Sequence, residues 1–83
     1  MRRVVLYGRP DCHLCDEARA ALLPIVTRAG DIEIAEVDIE SDDALLFEYL
    51  ERIPVVELEG RVISELVPDA EALAATLLHT STG

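Results

Sequence analysis

Apolar and polar positions divide the chain into short continuous runs and longer helical stripes. The first run, residues 3–8, is rich in β-branched and aromatic side chains and ends in turn residues, a pattern typical of a buried strand. From Cys12 onward, apolar residues recur at spacings of three and four, which predicts one face of a helix carrying Leu14, Ala18, Ala21, Leu22, Ile25 and Ala29. Pro24 lacks a backbone donor and is expected to kink or restart this helix, and Gly30 to end it.

A second strand and a second helix follow. The strand is marked by Ile32, Ile34, Val37 and Ile39. Its alternation slips around Ala35, which indicates either apolar neighbours on both faces or a small bulge. Ser41, followed by Asp42 and Asp43, is predicted to cap a helix whose apolar face carries Leu45, Leu46, Tyr49 and Leu50.

The last third of the chain predicts a hairpin and a helix. Apolar runs at residues 55–58 and 61–64 flank Glu59-Gly60, a two-residue connection that makes the two strands antiparallel. Pro68 suits a first helical position, and the stripe of the last helix contains Ala70, Leu73, Ala74, Leu77 and Leu78. Residues 79–83 are expected to be a frayed tail. The predicted order is therefore β-α-β-α-β-β-α.

Length and charge narrow the possible functions. The 83 residues are enough for one domain, with a core expected at about residues 3–78. The net charge is -10, and all seven basic residues are arginines. Such a chain repels phosphate backbones and anionic lipid surfaces, so neither nucleic acid nor membrane is an expected partner. The apolar run near the N-terminus is too short for a signal peptide or a membrane span, and a cytoplasmic location is expected.

The two cysteines form a Cys12-His13-Leu14-Cys15 motif where the first strand gives way to the first helix. In a βαβ unit this placement is typical of a redox pair. Cys12 at the helix start is the predicted nucleophile, because free backbone N–H groups and the helix dipole stabilise its thiolate. Cys15, one turn along, would resolve the mixed disulfide.

Other interpretations of the motif remain open. The cysteines could be inert buried thiols, or half of a zinc site completed by His13 and the remote His79. Structural zinc normally takes four ligands, and a histidine adjacent to one ligand is poorly placed to share its metal, so no metal residue is predicted. The fold could also serve as a redox-sensitive docking module without turnover, or as a dimer bridged by a metal or cluster.

The segment from Tyr7 to Cys15, together with Ile53-Pro54-Val55, resembles the glutaredoxin-like proteins of the thioredoxin superfamily, particularly the small bacterial ones. The resemblance covers roughly residues 3–78. It implies an α/β thioredoxin-like fold with a four-stranded mixed sheet of order 4-3-1-2, the third strand antiparallel, and helices on both faces. It also implies that the Ile53–Pro54 bond is cis and that Pro54 lies opposite Cys12, where the preceding backbone pairs with a bound substrate.

The resemblance further implies a set of residues that bind substrate or thiol: Arg9, Pro10, His13, Leu14, Ile53 and Pro54. It implies a monomer with no resident cofactor, reduced by glutathione or another low-molecular-weight thiol, that acts on protein disulfides or small mixed disulfides. The chain departs from the family at Ser64 and Glu65, where glutaredoxins carry two glycines beside the glutathione carboxylate. Their side chains would crowd that carboxylate, and Glu65 would repel it.

The charges around the motif oppose one another. A protonated His13 would favour the Cys12 thiolate, whereas the carboxylates of Asp11, Asp16 and Glu17 would disfavour a second negative charge. The sequence therefore leaves the net effect on the Cys12 pKa unsigned.

Overall fold

The computed structural model describes residues 1–79, and within this range the predicted element order is confirmed. The elements are β1 (Arg2–Gly8), α1 (His13–Ala29), β2 (Ile32–Asp38), a 3-10 turn (Ile39–Ser41), α2 (Asp43–Tyr49), β3 (Val55–Leu58), β4 (Arg61–Glu65) and α3 (Ala70–His79). Most of the segment expected to be a frayed tail, residues 80–83, lies outside the described residues.

The four described strands form one mixed sheet in the order β2-β1-β3-β4, which is the predicted order read from the other edge. β1 and β2 are parallel and joined through α1, while β3 is antiparallel to both β1 and β4. The β1–β2 register runs unbroken from Arg2↔Ile32 to Gly8↔Asp38, so the bulge considered near Ala35 is not present. The phase slips because β2 carries apolar residues on both faces and because Ile39 lies beyond the strand, fully buried in the 3-10 turn.

The main core lies between one face of the sheet and the helices α1 and α3. It contains Val4, Leu6, Ala18, Leu22, Ile25, Ile32, Val56, Leu73 and Leu77. α1 runs through Pro24 as one helix, so the restart considered at this proline is wrong. Pro24 is exposed, and on this face water can hydrate the carbonyl that the missing donor leaves free. Gly30 ends the helix with φ 79° and donates to the Val26 carbonyl, as predicted.

α2 lies on the opposite face of the sheet, where the Tyr49 ring stacks on Tyr7 of β1 with 4.6 Å between centroids. Its N-cap is Asp42, whose carboxylate accepts from the Ala44 backbone N–H at 2.7 Å, and not Ser41, whose hydroxyl donates to the carbonyl of Asp38. The negative charge of Asp42 also interacts favourably with the positive end of the helix dipole and stabilises α2.

In the last third of the chain the hairpin turn is as predicted, but the start of α3 is not. Glu59 and Gly60 both have positive φ, 49° and 83°, which matches the type I′ turn of a two-residue hairpin. Pro68, in contrast, lies outside α3. Asp69 precedes the helix, and its carboxylate accepts from the Ala72 N–H at 3.1 Å, so an aspartate caps the helix in place of the predicted proline start.

Candidate redox site

Cys12 is the N-cap residue of α1. Its backbone is extended, with φ -105° and ψ 109°, and its carbonyl accepts the first helical hydrogen bond, from Asp16 N–H at 3.1 Å. Its Sγ accepts from the Cys15 backbone N–H at 3.2 Å. The preceding residue, Asp11, has φ 60°, which turns the chain sharply between β1 and the helix. This turn directs the Cys12 sulfur at the free N–H groups of the first helical turn.

Cys12 and Cys15 form a disulfide, with 5.2 Å between their Cα atoms. The two cysteines differ in exposure: Cys12 is partly exposed, whereas Cys15 is 2% exposed. An incoming thiolate or disulfide therefore reaches the Cys12 sulfur before that of Cys15.

Gly8, the last residue of β1, lies directly behind Cys15. A Cβ added at Gly8 would lie 3.0 Å from the Cys15 Sγ and 3.2 Å from the Cys15 Cβ. Carbon and sulfur normally pack no closer than about 3.5 Å, so a side chain at this position would displace Cys15. In the sequence, Gly8 is only the last residue of the first apolar run; its contact with Cys15 exists only once α1 packs on the sheet.

Pro54 lies at the same end of the sheet as Cys12. The Ile53–Pro54 peptide bond is cis. Val55, the next residue, pairs with Tyr7 in the antiparallel ladder, which places Pro54 next to Gly8 at the end of β1. Pro54 is fully buried and Ile53 half-buried. The backbone N–H of Leu66 donates to the Pro54 carbonyl at 3.1 Å, which ties the end of β4 to this loop.

A cleft of about 310 Å³ adjoins Cys15. It brings two of the predicted binding residues, Arg9 and Pro10, together with Cys15, whereas Cys12 is not part of its wall; the wall also includes Leu6, Gly8, Asp11, Asp16, Arg19, Glu36, Val37 and Asp38. His13, Leu14, Ile53 and Pro54 do not line it. Leu14 is 37% exposed on the first turn of α1, and His13 is more exposed and faces Glu17, with 3.1 Å between Nε2 and the carboxylate.

The arginines around the cleft are ion-paired. Arg9 contacts Glu40 at 2.8 Å, and Arg19 contacts both Glu36 at 2.7 Å and Asp16 at 3.0 Å. The hydrogen bonds that Arg19 donates to Glu36 and Asp16 raise its pKa above the ordinary value. Both guanidinium groups are therefore already occupied by carboxylates of the same chain.

Glu65 also has an intramolecular partner that the sequence analysis did not identify. The Arg52 guanidinium contacts Glu65 at 2.9 Å and Glu48 at 2.8 Å, and it lies over the Tyr49 ring at 5.1 Å from the centroid. The negative charge expected at Glu65 is thus partly offset by Arg52, the residue before Ile53, which is shared with Glu48. The spacing of Glu48 and Arg52, four apart, was the available sequence signal.

The Glu57 carboxylate joins the two tyrosines on the α2 face. It accepts from the hydroxyl of Tyr7 at 3.3 Å and from that of Tyr49 at 3.1 Å. Desolvation, followed by the charge of Glu57 and its hydrogen bond, raises the pKa of Tyr7. The pKa of Tyr49 is raised by desolvation and by the hydrogen bond and charge of Glu57. This cluster attaches α2 to the sheet beneath the Arg52 loop.

Two further properties concern metal binding and membranes. Across residues 1–79, no three His, Cys, Asp or Glu side chains are grouped so that they could hold a metal ion. None of the helices described is both long enough and apolar enough to span a bilayer.

Comparison with known proteins identifies the family. Among curated proteins no significant match was found. The X-ray structure of protein XcR50 from X. campestris is 37% identical, with 89% of this chain and 93% of that chain covered and a TM-score of 0.73. The solution structure of Ne2328 from Nitrosomonas europaea is 28% identical, covers 90% and 89%, and has a TM-score of 0.75.

The oxidised mitochondrial thioredoxin 3 of Saccharomyces cerevisiae is similar in fold, with a TM-score of 0.70 at 16% identity over 93% of this chain and 76% of that chain. A thioredoxin-like fold with a Cys12–Cys15 pair indicates thiol–disulfide redox chemistry. The model of the glutaredoxin-like domain (DUF836) matches residues 3–78. The chain therefore belongs to this glutaredoxin-like family, and its fold is thioredoxin-like.

Proposed function

We propose that this chain is a dithiol–disulfide oxidoreductase of glutaredoxin-like type, in which Cys12 attacks and Cys15 resolves. One observation carries the proposal. The Cys12 sulfur is accessible and accepts a hydrogen bond at the start of α1, while its partner Cys15 is buried one turn along. Hydrogen bonding to the charged form and the helix dipole both stabilise a thiolate at Cys12. The buried thiol is shielded from solvent and lies within bonding distance of the Cys12 sulfur.

The proposed reaction has two exchange steps. The Cys12 thiolate attacks one sulfur of the substrate disulfide, its S–S bond breaks, a mixed disulfide with Cys12 forms, and the first substrate thiolate leaves and takes a proton from solvent. Cys15 then loses its proton and attacks the Cys12 sulfur, which forms the Cys12–Cys15 disulfide and releases the second substrate thiol. Two electrons and two protons pass to the substrate.

Turnover needs a reductant. In the proposal, two molecules of glutathione or another low-molecular-weight thiol regenerate the dithiol: the first attacks Cys12, the second attacks the resulting mixed disulfide, and the two leave as their own disulfide. No resident cofactor or metal takes part. The partners are a disulfide-containing protein or a small mixed disulfide, the active species is a monomer, and the cytoplasm is the compartment in which such a reductant is available.

The binding residues keep the roles expected from the family resemblance. Ile53 would pair its backbone with a bound substrate beside Pro54, and Leu14 would contact it from α1. The support is their position: Pro54 is at the end of the sheet that carries Cys12, and Leu14 is exposed on the first helical turn. Arg9 is in an ion pair with Glu40, so it would have to exchange this partner to bind an anionic thiol.

Single-cysteine variants test the proposal directly. With reduced protein and bis(2-hydroxyethyl) disulfide, Cys12→Ser should abolish reduction, because no thiolate remains at the exposed position. Cys15→Ser should stop after the first step and accumulate a mixed disulfide, detected by intact mass. Full activity of the Cys12→Ser protein would rule out the proposed roles.

The same preparations distinguish the other interpretations of the motif. Turnover coupled to glutathione or to thioredoxin reductase removes the docking-only interpretation, and its absence in both assays supports it. A visible absorbance band and stoichiometric metal in freshly purified protein would support a metal-bridged or cluster-bridged dimer.

A further inference from the structure

We infer that the redox site selects disulfides that carry positive charge beside their sulfur atoms. The positively charged group of the substrate would bind in the acidic cleft next to Cys15. The inference deepens the proposed function and rests on it. It concerns the substrate class of the Cys12–Cys15 site and adds no separate ligand site. Three features of the molecule support it: the cleft itself, the ion pairs of its two arginines, and the unpaired carboxylate of Asp11 in its wall.

The cleft has room for a substrate group and an uneven charge. Its volume of about 310 Å³ lies at the lower end of the range that accommodates small ligands, about 300–1,000 Å³. Four of its lining residues are acidic and two are arginines, which leaves a formal charge of -2 on the residues of its wall. The carboxylates are Asp11, Asp16, Glu36 and Asp38, and the arginines are Arg9 and Arg19.

The two arginines offer little to an anionic substrate. Arg19 is held by two carboxylates and Arg9 by Glu40, whose own charge adds to those of the wall. An incoming carboxylate would have to displace one of these partners before it met a free guanidinium. Glutathione carries a net negative charge, so it would have to displace one of these carboxylates to bind an arginine. An ammonium or guanidinium group would not.

Asp11 is the carboxylate of the cleft wall that is free to attract a cation. It is exposed, adjoins Cys12 in the chain, and its carboxylate makes no hydrogen bond or ion pair with any other residue of the described range 1–79. A cation on the substrate can therefore approach it without breaking an existing contact. The same field repels an anionic disulfide, so the rate of the first exchange step should depend on the substrate's charge.

Three symmetric disulfides test the inference: cystamine, bis(2-hydroxyethyl) disulfide and 3,3′-dithiodipropionate, which are cationic, neutral and anionic. Oxidation of the reduced protein is followed by acid quench and intact mass. Each rate constant is divided by that of the uncharged dithiol dithiothreitol with the same disulfide, which removes intrinsic differences in reactivity. At about 0.01 M ionic strength, we expect a cation-to-anion ratio of about ten or more, falling towards one at about 1 M, where the Debye length is about 3 Å.

Two charge variants locate the effect. Asp11→Asn removes one of the four negative charges at the cleft, and asparagine accepts the positive φ of this position. Glu71→Gln makes the same change in net charge beside Arg28 and Ala29, at the far end of α1 and about 24 Å from Cys12 along the helix axis. Asp11→Asn should lower the ratio about threefold, and Glu71→Gln should leave it within about 1.5-fold. An equal effect of both variants would assign the selectivity to the net charge of the whole molecule and overturn the role of the cleft.

The neutral disulfide separates this inference from the proposed function. If the protein fails to reduce bis(2-hydroxyethyl) disulfide, the proposed function is wrong. If it reduces that compound but shows a normalised cation-to-anion ratio near one or below, only the charge selectivity is wrong.

A matched pair of disulfide-linked peptides, Lys-Cys-Lys and Glu-Cys-Glu, identifies the source of the positive charge. Discrimination confined to the small compounds assigns the cleft to an aminothiol disulfide. Discrimination that extends to the peptides assigns it to a basic segment of a protein substrate.

Discussion

The close approach of Gly8 to Cys15 makes the reduction potential sensitive to a single methyl group. In Gly8→Ala, the new Cβ would lie 3.0 Å from the Cys15 Sγ. In the oxidised protein this sulfur is bonded to Cys12 and cannot rotate away. In the reduced protein it is not bonded to Cys12, so rotation about the Cα–Cβ bond can relieve the contact with Sγ, while the 3.2 Å contact with the Cys15 Cβ is the same in both states. The substitution should therefore destabilise the oxidised form more than the reduced form.

The expected magnitude follows from the contact. A carbon–sulfur separation shorter by about 0.5 Å or more than normal packing is an overpacked core contact, which costs about 1–3 kcal/mol. We expect this cost in the oxidised state, and a cost smaller by about 1 kcal/mol or more in the reduced state. A difference of about 1.4 kcal/mol corresponds to about 30 mV for a two-electron couple, so the potential should become less negative by about 20–40 mV.

Two independent measurements form a closed thermodynamic cycle. The potential is read from equilibrium with redox buffers, by alkylation and mass, and the free energy of unfolding from urea titrations of both redox states. Gly60→Ala is the control: it has positive φ and no atom within 4 Å of an added Cβ, so it should lose equal stability in both states and keep its potential. An unchanged potential in Gly8→Ala, with equal losses in both states, would refute the reasoning.

Two further predictions concern α2 and the face it covers. Asp42→Ala should lower the free energy of unfolding by about 1 kcal/mol in urea titrations, because the Asp42 carboxylate accepts from the N–H groups of the first turn of α2. Ser41→Ala, whose hydroxyl does not accept from these groups, should lower it by clearly less. Equal losses in the two variants would contradict this capping assignment. Tyr7 and Tyr49 are the chain's two tyrosines, so the phenolate absorbance should titrate above pH 10, and in Glu57→Gln closer to pH 10. Since the folded pKa values are raised, their contribution to stability is complete below pH 10 and decreases as pH rises through them; a wild-type midpoint at or below pH 10 would disprove it.

The expected electrostatic repulsion at Glu65 is modified by a contact that the sequence does not reveal. The resemblance led to the expectation of a repulsive negative charge at Glu65, but this carboxylate is in an ion pair with Arg52. The residues are 13 apart in sequence, and nothing in the local pattern pairs them. Their contact depends on the loop between α2 and β3 folding back towards the end of β4, where Leu66 donates to the carbonyls of Arg52 and Pro54.

The sequence by itself determined the order of the elements, the hairpin and the position of the two cysteines at a helix start. These features depend on local rules: apolar periodicity, the positive φ available at Glu59-Gly60, and the dipole at the first turn of α1. Only the tertiary structure decided which sulfur is accessible, that Gly8 lies against Cys15, and that Arg9 and Arg19 are occupied by carboxylates of other elements. Burial and ion pairing between distant residues arise when β1, α1 and β2 pack together, and side-chain contacts of this kind leave no periodic signal in the chain.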